Sequence, residues 1–195
     1  MLGVLATSWL GACGRDAAPR LDTLRGADTL APPLVRNAPP APSSSAGALQ
    51  LTERGIGPLQ VGMTLAEVRA ATEGAVTAPP AADTAACGFA NWKGGPGGLR
   101  LMTARGRIVR IDVDSGTTTT SAGARIGDSE ARIATLYAGR VETKPHKYTS
   151  GHYLTIRPAS AADSSYRTVF ETNASRVTRF RAGRRPEVEY VEGCG

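Results

Sequence analysis

The sequence predicts an α+β fold: two tandem repeats of a short capped helix followed by an antiparallel meander, with the helices on one face of the sheet. Three observations predict it. The segment Val61-Gly62-Met63-Thr64-Leu65-Ala66-Glu67-Val68 recurs 65 residues later as Ile126-Gly127-Asp128-Ser129-Glu130-Ala131-Arg132-Ile133. The match is one of kind: aliphatic, Gly, any, hydroxyl, any, Ala, charged, β-branched. Each copy is followed by alternating segments around a tight turn, the pattern of a hairpin. Strand-helix-strand alternation of the parallel kind is missing, which points to helices packed on an antiparallel sheet.

In each repeat the glycine lets the chain turn and the hydroxyl residue caps a helix. Thr64 and Ser129 can each accept a bond from an unpaired N–H of the first turn, and Glu67 completes a capping box with Thr64. Apolar stripes follow at Leu65, Val68 and Ala71, and at Ile133, Leu136 and Tyr137. Gly74 and Gly139 end helices of roughly nine or ten residues, too short to stand alone in water. Strands are expected at 75–78 and 88–92 in the first repeat, and at 140–144 and 152–157 in the second. The hairpins cover 99–113, turning at Arg105-Gly106, and 168–182, turning at Ala174-Ser175. Residues 187–191 add a closing strand. The domain spans 49–195, with repeat 1 at about 55–117, repeat 2 at about 120–185 and the closing segment at 186–195.

The first residues read as an export signal. An apolar run over 2–10 leads into Leu10-Gly11-Ala12-Cys13, the order cleaved by lipoprotein signal peptidase. Residues 1–12 are then the signal peptide, and Cys13 is the lipidated N-terminus. The usual positive n-region is missing, since Met1-Leu2-Gly3 carries no Lys or Arg, and a start upstream of Met1 is one reading of that. Residues 13–48, rich in Pro, Ala and Ser, hold no periodic pattern and read as an extended tether. No other stretch approaches the roughly 18 apolar residues needed to span a bilayer. Gly14 rather than Asp after the lipidated position favours, by resemblance to the enterobacterial sorting rule, the outer membrane where the cell has one. With Cys13 lipidated, Cys87 and Cys194 remain, and in an oxidising compartment they are expected to form a disulfide.

Gly62-Met63-Thr64-x-x-Glu67-Val68 resembles the helix-opening motif of the small lipoprotein of the outer-membrane β-barrel assembly machine. The tandem arrangement resembles the β-lactamase-inhibitor protein fold. The likeness covers about ten residues per repeat plus the architecture, and the second copy departs from it with Asp128 for Met63 and Arg132 for Glu67. It implies an envelope lipoprotein that acts by binding, or an inhibitor of a secreted enzyme.

Alternation separates two faces of the sheet. Leu99, Leu101, Val109, Ile111, Val113, Phe170 and Phe180 are expected under the helices. Arg100, Met102, Arg110, Asp112, Val169, Glu171, Arg179 and Arg181 fall on the other face, joined by Tyr153, Thr155 and Arg157. Arg, Tyr and Met on an open surface suit a partner-binding patch, so Arg100, Met102, Arg110, Tyr153, Arg179 and Arg181 form the expected binding face. The opposing reading is a solvated sheet face in a chain whose only lysines are Lys93, Lys144 and Lys147.

A net charge of +6 calls for an acidic partner: anionic lipid, an envelope protein or a polymer. Without zinc finger, helix-turn-helix or RNA-recognition signature, nucleic acid is not expected. Enzyme chemistry is poorly supplied. His146 and His152 flank Ser150, giving a small hydrolase as the weakest alternative, but there is no Gly-x-Ser-x-Gly elbow. Two histidines without a nominated carboxylate make no metal site. Asp112 and Asp114 lack a sugar-stacking cleft, and Gly94-Gly95-Pro96-Gly97-Gly98 lacks the Lys-Ser/Thr of a phosphate loop. The expectation is a non-enzymatic, cofactor-free protein held at a membrane through Cys13. Metabolic labelling with a fatty acid is expected to mark the wild-type chain and not a Cys13→Ser variant.

Overall fold

The computed structural model describes residues 49–78 and 87–194. The expected signal peptide, Cys13 and the tether therefore lie outside the described residues. Among the described residues the fold is α+β, with two α-helices and two sheets. In chain order the strands are β1 (Gln50–Thr52), β2 (Gly55–Ile56), β3 (Leu59–Gln60), β4 (Val76–Thr77), β5 (Gly88–Trp92), β6 (Leu99–Ala104), β7 (Arg107–Val113), β8 (Thr119–Thr120), β9 (Val141–Pro145), β10 (His152–Ile156), β11 (Tyr166–Thr172) and β12 (Val177–Arg184). Helix α1 (Leu65–Ala71) precedes β4, and α2 (Glu130–Leu136) precedes β9.

The larger sheet is antiparallel with order β4-β5-β6-β7-β12-β11-β10-β9. Two meanders thus meet where β7 pairs with β12, with Val113 opposite Phe180 and Ile111 opposite Ala182. The smaller sheet, β3-β2-β1-β8, arises from residues without an alternating pattern. Its strands are only two or three residues long, yet Leu51, Ile56 and Leu59 are buried in the common core.

Both helix starts are built as the sequence predicts. Thr64 accepts from the Glu67 N–H at 3.2 Å, and Glu67 accepts from the Thr64 N–H at 2.7 Å, closing the capping box. Ser129 accepts from the Arg132 N–H at 3.1 Å. Each start is tied to a hairpin by matched bonds. Gly62 N–H donates to Ile108 O at 2.7 Å, and Ile108 N–H to Met63 O at 2.9 Å; Gly127 N–H donates to Val177 O at 2.8 Å, and Val177 N–H to Asp128 O at 2.9 Å. Arg107 and Arg176 donate to the carbonyls of Gly62 and Gly127 at 2.8 and 3.0 Å. The helices stop after seven residues, shorter than expected. Ala71 is exposed, and Thr72 takes the next buried position, its hydroxyl donating to Val68 O at 2.8 Å. Gly74 and Gly139 follow with φ of +80° and +73°, a conformation costly for any residue with a Cβ.

Val68 and Ile133 share a core with Leu101, Ile108, Ile111, Val113, Phe170, Val177 and Phe180. Phe170 sits 5.5 Å from Phe180 and 5.7 Å from Tyr137, whose hydroxyl donates to Thr120 at 2.7 Å. Val109, expected in this core, is only half-buried. A bulge leaves it unpaired between Met102↔Arg110 and Thr103↔Ile108, so Ile108 takes the core position. A second bulge between Glu171 and Thr172 does the same for Val177.

The closing strand does not form. Glu187–Glu189 is a 3-10 turn after Pro186, held by Glu189 N–H to Pro186 O at 2.9 Å. Cys87 and Cys194 are disulfide-bonded, with Cα atoms 5.4 Å apart, which fastens the C-terminal segment beside β5. Replacing both cysteines with serine is expected to lower unfolding free energy by about 4 kcal/mol, since the bond closes a loop of roughly a hundred residues; urea unfolding measures it. Denatured, unreduced protein is expected to show no thiol from Cys87 or Cys194.

Candidate functional site

Strand register brings the expected face residues together. Arg100, Asp112, Arg181, Val169 and Thr155 follow one another as cross-strand partners from β6 to β10. Arg179, Glu171, Tyr153 and Lys144 form a neighbouring row. The centre of this face is not open. Met102 is fully buried, and Arg110 and Arg181 are each 3% exposed.

The covering element is the segment after β12. Arg110 donates from Nη1 to the carbonyls of Glu187 and Tyr190, at 3.0 and 2.8 Å. Arg181 Nε donates to Val188 O at 2.6 Å. The carbonyls that a closing strand would offer to a ladder are taken by guanidinium groups, and Val188 is buried beneath them. Met102, Arg110 and Arg181 are therefore internal and offer no surface to a partner. Period-two alternation assigns a side chain to a face but does not reveal what covers that face.

The buried charges are paired. Arg110 Nε donates to Asp112 Oδ2 at 3.0 Å, and Arg181 Nη1 to Glu171 Oε1. Glu171 Oε2 also receives Arg179 Nε at 2.8 Å and faces His146 Nε2 at 3.3 Å. His146 Nδ1 accepts from the N–H groups of Tyr148 and Thr149 at 3.1 and 3.2 Å, so Nε2 carries the proton given to Glu171. Burial pushes the Glu171 carboxyl up. The Arg181 charge and bond, the Arg179 charge and the His146 bond outweigh it and hold the group below the usual glutamate value. Burial dominates at Asp112 and raises it despite Arg110.

The remaining members of the expected face sit at its margins. Arg100 donates to Asp114 at 2.7 Å and lies 4.8 Å from the Phe89 ring. Tyr153 is half-buried and stacks on His146 at 4.4 Å. Arg179 is exposed apart from its bond to Glu171. Neither imidazole bonds to Ser150: His146 serves Glu171, and His152 Nδ1 faces Glu130 at 2.9 Å. Among the described residues no three His, Cys, Asp or Glu side chains are grouped to hold a metal ion.

The open cationic feature lies elsewhere. A groove of about 500 Å³ at the β6–β7 turn is lined by Arg105, Arg107, Arg184, Arg185 and Glu187, over Ala104, Val109 and Pro186. The four arginines are exposed. Arg105 reaches Glu187 only at 3.5 Å, and Arg185 donates to Glu189 at 2.8 Å. Arg184 has no side-chain partner among the described residues. Sequence reasoning passed over these residues because the turn and the end of β12 are adjacent only through β7–β12 pairing; the signal was Arg105-Gly106-Arg107 and Arg184-Arg185.

No family model, curated protein or solved structure matches this chain. No helix among the described residues is long and apolar enough to cross a membrane.

Glu171→Gln leaves two arginines without their shared anion. The expected loss is roughly 3 to 5 kcal/mol, read by urea unfolding at pH 7. A carboxyl held low in the folded state stabilises above its unfolded value and loses that contribution as pH falls through the folded one. The variant is therefore expected to lose less stability than wild type on acidification below about pH 4.5.

Proposed function

We propose that this chain is a non-enzymatic, lipid-anchored envelope protein, held through Cys13 at a membrane, the outer one where the cell has it, whose α+β domain binds an acidic macromolecule. The carrying observation is the arginine groove. Four exposed guanidinium groups face one carboxylate around a single concavity, and such clefts concentrate anionic partners. The binding site is the end of the sheet at the β6–β7 turn, since the central face is occupied by the chain's own C-terminal segment. Arg179, which shares Glu171 with Arg181, adds positive character at the margin of that face.

The scaffold is read as a duplicated unit, a capped helix and a meander used twice with the helices on one face. Support comes from the mirrored strand order, the paired bonds at Gly62 and Gly127, and the bulges beside Val109 and Thr178 at corresponding positions. We propose that this architecture is akin to that of the assembly-machine lipoprotein and of the inhibitor fold.

The test is binding of dextran sulfate by full-length Cys13→Ser protein, with neutral dextran as control. Binding is expected for the charged polymer alone and weakens with salt. Arg105→Glu combined with Arg184→Glu is expected to remove most of it. Equal binding by this variant would place the site away from the groove.

A further inference from the structure

We infer that the arginine groove is a phosphate site whose ligand is the headgroup of an anionic lipid. The inference rests on the proposed function and names the ligand of that same site.

Charge sets the class of ligand. Arg105, Arg107, Arg184 and Arg185 line the groove with Glu187 as its only acid. Glu187 is itself nearly buried, and its Oε1 stands 3.5 Å from Arg105 Nη2. The chain's own carboxylate thus already occupies part of the groove, through one long contact. It leaves Arg184 unpartnered among the described residues and, with Arg185 paired to Glu189, two positive charges of the lining uncompensated. Arg107 and Arg185 each commit one donor, to Gly62 O and Glu189, and a guanidinium offers five.

A planar carboxylate presents two oxygens in one plane. A phosphate monoester presents three around a tetrahedron and carries nearly twice the charge, so it can take donors arriving from the turn and from the end of β12 together. The volume, about 500 Å³, exceeds what a lone phosphate fills. Val109, freed from the ladder by the bulge, and Pro186 give the groove apolar ground beside the guanidinium rim. A charged head with an apolar root is the chemistry of a phospholipid headgroup, and a soluble polyphosphate would leave that ground unused.

The test is vesicle flotation of full-length Cys13→Ser protein, so that a lipid on Cys13 cannot carry the chain. Vesicles contain phosphatidylcholine alone, phosphatidylcholine with phosphatidic acid, or phosphatidylcholine with oleic acid at matched surface charge. Phosphatidic acid vesicles are expected to bind at least about tenfold tighter than oleic acid vesicles. Arg105→Glu with Arg184→Glu is expected to weaken that binding by about tenfold or more, as loss of charged hydrogen bonds predicts. Lys93→Glu, in the loop at the opposite end of β6, is expected to change it less than about twofold if charge is read locally.

Equal binding to oleic acid vesicles overturns phosphate recognition while leaving the acidic-partner reading intact. Binding of tripolyphosphate, measured by calorimetry, without binding of phosphatidic acid vesicles overturns the lipid ligand. A Lys93→Glu effect as large as the groove variant's overturns the site. If no phosphate probe binds while dextran sulfate still requires Arg105 and Arg184, this inference fails alone; if dextran sulfate is also indifferent to them, both readings fail.

Discussion

Two buried arginines constrain the rest of the structure. Arg110 and Arg181 project from neighbouring central strands into a space that excludes water, and a guanidinium there must have its donors satisfied or cost several kcal/mol. Asp112 and Glu171 supply the anions, and the carbonyls of Glu187, Val188 and Tyr190 accept three further bonds. The path of the C-terminal segment follows. Its carbonyls turn toward guanidinium groups on the sheet while its N–H groups close a 3-10 turn, Glu187 O accepting from both Arg110 and the Tyr190 N–H. The disulfide to Cys87 then fixes the far end of a path whose middle the arginines define.

That dependence explains which parts of the fold were legible. The capped helices, the hairpins and the core residues Leu101, Ile111, Phe170 and Phe180 are specified locally, by a cap hydroxyl, a turn and a period of two. Val109 was misplaced because a bulge adds one residue and reverses the alternation beyond it. The strands β1, β2, β3 and β8 were missed because two or three residues cannot display a period. The candidate site was legible only in part. Arg100, Arg110, Arg179 and Arg181 do share a face, yet Arg110 and Arg181 are spent on a segment from 77 and 7 residues away in the chain. The groove arginines looked ordinary in a chain that uses arginine almost everywhere, and only the β7–β12 junction gathers them.

Burial divides the arginines into two chemical kinds. Those under the C-terminal segment are buried, have matched anions and bond the segment's carbonyls, so they hold structure. Those at the β6–β7 turn are exposed and keep unfilled donors. An exposed pair such as Arg185–Glu189 contributes little to stability, which leaves its members free to exchange partners at small cost. The same residue type thus serves as a fastener at the middle of the sheet and as a receptor at its end.

On the proposed duplication, the groove lies where the two units differ. Both share the bonds that dock a helix start onto a hairpin, including an arginine donating to a glycine carbonyl, Arg107 to Gly62 and Arg176 to Gly127. The first turn continues that arginine with Arg105, whereas the second has Ala174 and Ser175 in its place. The chain then runs out of β12 beside the first turn and adds Arg184 and Arg185 there. No equivalent extension leaves β7 beside the second turn, because β7 leads instead toward β8. On that reading Arg105, Arg184 and Arg185 join Arg107 at the first end, and the C-terminal segment that seals the sheet face is also what delivers Pro186 and Glu187 to the groove.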